Sequence, residues 1–98
     1  MLRGILSAHY TWLMESKAEY QRLCWRSRRG MLELDLVLTP FVRERLPLLD
    51  AAGRDSYRRL LEYEDRELCA WFFDRITPQD KDIAAIVARI LDSARPAD

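Results

Sequence analysis

Few groups in this chain could do covalent chemistry, and their spacing denies them most of it. The one histidine, His9, has no nucleophile at relay spacing, so neither a Ser–His–Asp nor a Cys–His arrangement has support. A metal site needs clustered His, Cys or carboxylate ligands, and one histidine with two distant cysteines, Cys24 and Cys69, does not supply them. Gly4, Gly30 and Gly53 are solitary, so there is neither a phosphate-cradling loop nor a dinucleotide fingerprint. Glu33 and Asp35 invite reading as an acid/base pair. Two apart on a helix they would not face each other, and a solvated or ion-paired couple is expected.

One stretch does combine charge, a glycine and an apolar run: Trp25-Arg26-Ser27-Arg28-Arg29-Gly30-Met31-Leu32-Glu33-Leu34-Asp35. Arg26, Arg28 and Arg29 crowd the residues before Gly30 into a positive knuckle. Gly30 can take a left-handed conformation at no steric cost and commonly ends a helix that way. It is expected to form a tight joint between two helices, with no room for a large side chain. Glu33 then falls in the first turn of the second helix, where the dipole favours an anion. The Arg29-before-Glu33 order is the poorer one for an intrahelical pair, so stability alone does not explain the cluster. Three uses compete: a solvated face, a helix–turn–helix contact to nucleic acid, and a protein-docking surface. Such basic runs are usually solvated faces, though arginine and tryptophan are also enriched at interface hot spots.

Composition sets limits on these. The 98 residues make one domain with a modest core. At 49% apolar and 33% charged the composition is that of a folded globular chain. Sixteen basic and sixteen acidic side chains cancel, which argues against a general nucleic-acid binder. The cancellation is uneven: residues 1–30 hold six basic and two acidic side chains, and residues 31–98 hold ten and fourteen. A basic first element sits on an acidic body. The cysteines are expected to be reduced, as in a cytosolic protein. No apolar run approaches the roughly 18 residues that would suggest a membrane span.

The elements that must position the knuckle are helical. Met1–Leu13 is expected to be a frayed leader or to follow from an upstream start codon, outside the core domain of residues 14–98. Ser16 to Glu19 fits a capping box for a first helix from Lys17 to about Ser27, with Tyr20, Leu23 and Cys24 inward. A second helix should start near Met31 and present Leu34, Val37, Leu38 and Phe41. Leu32 and Leu36 suggest that it is buried on its other flank too. Pro40 should kink or restart it, and Pro47 should end it near Leu46. A third helix is expected over Ala51–Tyr63, with Arg54, Arg58 and Arg59 in water. A fourth is expected over Asp65–Asp74, with Asp65 as its cap and Trp71 in the core. Thr77-Pro78-Gln79-Asp80 reads as an N-cap, a first-turn proline and an acid opening a fifth helix to about Ser93. Pro96–Asp98 should fray. The fold class is all-α, a single small bundle of about five short helices.

Arg29-Gly30-Met31-Leu32-Glu33 resembles the RGxxE motif of the succinate dehydrogenase assembly (flavinylation) factor family, and Trp25-Arg26 and Leu34-Asp35 look like its flanks. Leu60, Leu61, Asp65, Leu68 and Trp71 resemble a second pattern of that family, with Glu67 where an aspartate is commoner. The resemblance spans about Tyr20 to Phe73. It implies a small helical helper that promotes covalent attachment of FAD to the flavoprotein subunit of succinate dehydrogenase, and of fumarate reductase where present. The helper itself supplies no catalytic group. Arg29, Gly30 and Glu33 would be its partner-binding residues, with Trp25, Arg26, Arg28 and Asp35 beside them. No tightly bound cofactor, nucleic acid or membrane insertion is implied. Bacterial cytoplasm is the expected home, ahead of the mitochondrial matrix. A regulatory module binding nucleic acid, or a toxin- or membrane-type partner, through the same knuckle remains the rival class.

Overall fold

The computed structural model describes residues 17–94. The leader Met1–Leu13, the Ser16 capping box and the tail Pro96–Asp98 lie outside them. Among the described residues there are five α-helices, one 3-10 turn and no strand.

Helix α1, Lys17–Arg26, has Glu19 in its first turn and Arg26 in its last, both complementing the helix dipole. It buries Leu23, with Tyr20 and Cys24 partly covered. Just past its end, Ser27 is fully buried and its hydroxyl donates back to the Leu23 carbonyl at 2.6 Å. Gly30 follows with φ +77, the left-handed value its sequence position anticipates.

Helix α2, Leu32–Glu44, buries Leu34, Leu38, Phe41 and Val42, one stripe at helical spacing. The expectation of burial on both flanks is wrong. Leu32 and Leu36 are 67% and 66% exposed. Nor does Pro40 restart the helix, which runs through it. The proline withholds an N–H from the Leu36 carbonyl, on the turn whose side chains face water, and that is where losing a bond is cheapest. A 3-10 turn at Leu46–Leu48, containing Pro47, leads out of α2 and buries Leu46.

Helix α3, Ala51–Leu60, is capped by Asp50, whose carboxylate accepts from the Gly53 N–H at 2.8 Å. It stops three residues before the expected Tyr63, because residues 61–63 turn back with N–H bonds to Tyr57, Arg59 and Leu60 carbonyls. Helix α4, Asp65–Phe72, is capped by Glu64, not Asp65; the Glu67 carboxylate accepts from the Glu64 N–H at 3.0 Å. Trp71 is only partly buried and packs edge-on against Tyr63, ring centres 4.8 Å apart. After α4 the chain reverses through Arg75, a non-glycine residue at φ 59.

Helix α5, Lys81–Ser93, starts later than its sequence suggests. Asp80, not Thr77, is the cap, accepting from the Asp82 and Ile83 N–H groups at 2.8 and 3.1 Å. Pro78 stays buried in the preceding loop. Arg59, expected in water, reaches Asp80 at 2.5 Å and ties α3 to the start of α5. Ile83, Ile86, Val87 and Ile90 close the core against Leu38, Leu46, Tyr57, Leu60 and Leu68. The Phe41 and Tyr57 rings meet there at 5.5 Å.

Candidate functional site

The bend between α1 and α2 is built from the inside outward. Ser27 anchors it below: its Oγ and the Tyr57 Oη lie 2.6 Å apart, both residues fully buried. Since the serine proton goes to the Leu23 carbonyl, the tyrosine donates. Burial pushes the Tyr57 phenol well above its ordinary pKa, so this donor stays protonated.

Arg29 comes next, and it does not join an exposed knuckle. Its side chain is 15% exposed. Nε donates to Asp65 Oδ1 at 2.8 Å, Nη1 to the Leu61 carbonyl at 2.8 Å and Nη2 to the Tyr63 carbonyl at 2.6 Å. The planar fork of the guanidinium suits three acceptors arranged around it. Its backbone N–H donates in turn to Asp35 Oδ1 at 2.8 Å, in the first turn of α2. Arg29 therefore pairs with Asp65 rather than Glu33, and joins the bend, α2 and the turn between α3 and α4. Asp35 is half-buried and committed to that amide.

The remaining expected residues face outward. Trp25 is 72% exposed, and the Arg28 guanidinium carbon lies 5.8 Å from its ring centre, a cation–π distance. Arg26 and Glu33 are exposed and form no ion pair among the described residues. Gly30 is exposed too, and a Cβ built on it would meet nothing within 4 Å. The bend is thus not tight at Gly30; what restricts that position is its φ. Beside the bend, Ala18, Gln21, Arg22, Trp25 and Arg26 line a shallow trough on the outer side of α1. Leu32 and Leu36 extend the exposed apolar surface along α2. The rim mixes aromatic, aliphatic and cationic groups with one carboxylate, a composition suited to gripping another protein.

Nucleophilic chemistry finds little support nearby. Cys69 packs its sulfur 3.6 Å from that of Met31, and burial, reinforced by the carboxylates of Asp65, Glu33 and Asp74, raises its thiol pKa. Among the described residues no group of three or more His, Cys, Asp or Glu side chains could hold a metal ion, and no helix is long and apolar enough to cross a membrane.

Sequence reasoning missed Asp65 as the partner of Arg29. Glu62, Glu64 and Asp65 all offered carboxylates at that distance along the chain, and nothing in their spacing singles one out.

Comparison with known proteins places the chain in a family. Residues 21–94 match the model of a family described as the flavinator of succinate dehydrogenase. The FAD assembly factor SdhE of Pseudomonas aeruginosa is 48% identical over 83 residues, 85% of this chain and 99% of that protein. Those of Colwellia psychrerythraea and Pasteurella multocida are 41% and 38% identical, over 76% and 79% of this chain and 82% and 92% of theirs.

Proposed function

This chain belongs to the family of flavinators of succinate dehydrogenase, and from that premise we propose that it promotes FAD attachment by docking on the flavoprotein subunit through the α1–α2 bend. The exposed rim over a fully bonded interior carries this reading. Trp25, Arg26, Arg28, Gly30 and Glu33 present contact groups, while Ser27, Arg29 and Asp35 hold the backbone beneath them.

The mechanism is a shift of populations. A helper that binds the attachment-competent conformation of the flavoprotein more tightly than the others multiplies the ratio of competent to other conformations by up to the ratio of the two affinities. On this reading the chain contributes no catalytic group and holds no FAD tightly itself. Fumarate reductase, where present, is the second partner, and the bacterial cytoplasm is the compartment in which they meet.

The test is in-gel flavin fluorescence of the succinate dehydrogenase flavoprotein in cells that lack this protein, complemented with wild type or with Arg26→Glu/Arg28→Glu. Wild type should restore the fluorescent band and the double charge reversal should not, at equal protein level. Full restoration by the reversed variant would overturn docking through this rim. Steep salt-dependent binding of duplex DNA would instead favour a nucleic-acid role.

A further inference from the structure

Within that docking reading, on which this inference rests, we propose that Arg29 is a positioning residue: it sets the shape of the rim from inside and leaves partner contact to its exposed neighbours. Each of the three side-chain nitrogens donates once, to Asp65 and to the Leu61 and Tyr63 carbonyls, and the side chain is 15% exposed. Two of the five guanidinium N–H groups stay unused, but the other three hold the side chain inward, away from a partner's reach. The arrangement works in the other direction. One residue fixes the bend to the turn between α3 and α4 through its side chain, and to α2 through its own N–H and Asp35. The neighbours on either side, Arg28 stacked over Trp25 and Gly30 at φ +77, inherit their places from that fixture.

Asp65 makes the proposal testable because it is partly exposed, lies 36 residues away and leaves the arginine's charge intact when replaced. The experiment measures affinity for the purified flavoprotein subunit not yet carrying covalent flavin. It compares wild type, Arg29→Ala, Asp65→Ala, the Arg29→Ala/Asp65→Ala double variant and the rim variant Arg26→Glu, at a temperature where all are folded by circular dichroism. Arg29→Ala and Asp65→Ala should each weaken binding about tenfold, the scale of one charge-assisted hydrogen bond. The double variant should be no weaker than Arg29→Ala alone, since both remove one fixture. Both single variants should also speed amide exchange at Gly30–Glu33 while exchange in α5 stays unchanged. Arg29→Lys, which keeps the charge but gathers its donors on one nitrogen and cannot reproduce the planar fork, should not rescue, and it replaces Arg29→Ala should that variant unfold.

Wild-type affinity for Asp65→Ala alongside lost affinity for Arg29→Ala would overturn the proposal and make Arg29 a contact residue. So would full rescue by lysine. Failure of the docking reading looks different: wild type would show no affinity, or Arg26→Glu together with every other variant would bind like wild type.

Discussion

Ser27 and Tyr57, both fully buried, share a hydroxyl-to-hydroxyl contact at 2.6 Å directly beneath the α1–α2 bend. The two replacements that break it are unequal. Ser27→Ala leaves a buried phenol with nothing to donate to and should cost about 1–3 kcal/mol. Tyr57→Phe leaves the serine still bonded to Leu23 and should cost about 1 kcal/mol or less. The double variant should be more stable than Ser27→Ala alone, as urea unfolding can show.

The same phenol gives the protein an alkaline limit. Its folded pKa lies above the ordinary value of 10.0, so the unfolded chain loses this proton first. Stability from this group is complete below about pH 10 and falls as pH rises beyond it. Thermal unfolding of wild type and Tyr57→Phe at pH 8 to 11 should converge or cross as the wild type loses its advantage.

At Gly30 the backbone sets the penalty. With φ +77 and open space around the Cβ direction, Gly30→Ala should cost about 1–2 kcal/mol from the left-handed conformation. Gly30→Asn should cost less, and Gly30→Arg about as much as alanine. In flavinylation assays Gly30→Arg should nonetheless fail, because the added charge lands on the rim. Arginine costing far more stability than alanine would show that the bend is closed after all.

The exposed leucines of α2 test where the core ends. Leu38→Ala, at a fully buried position, should cost about 2–5 kcal/mol. Leu36→Ser, two residues away, should change stability by about 0.5 kcal/mol or less. Denaturant midpoints decide it, and a large loss at Leu36 would mean that this flank is covered.

Acid should attack the α3–α5 junction. The Ile83 N–H bond and the Arg59 partnership hold the Asp80 carboxyl below its ordinary 3.8. Its contribution is therefore present above about pH 4 and is lost as pH falls through the lower folded value. Asp80→Asn should lower the melting temperature at pH 7, and the gap to wild type should narrow as the pH falls below 3.8.

Much of the architecture was legible because it follows from local rules. The buried stripes Leu34–Leu38–Phe41 and Ile83–Ile86–Val87–Ile90 are periodic, and periodicity survives folding. Element ends were less readable: Thr77 and Asp80 offer similar capping chemistry, Asp65 is a better cap by type than Glu64, and tertiary packing chose Asp80 and Glu64. Leu32 and Leu36 look like core, because hydrophobicity reports what a side chain tolerates and not what covers it. The RGxxE resemblance located the bend but not the division of labour within it. That depends on Leu61, Tyr63 and Asp65, brought in from more than 30 residues away.

Reach of that kind links recognition to folding order. Until α3 and α4 have settled, the acceptors that hold the guanidinium are absent, and Trp25 and Arg28 have no fixed place to stand. On the docking proposal, a nascent or half-assembled chain carries every side chain of the rim yet offers no template, so it should compete poorly with finished molecules for their client.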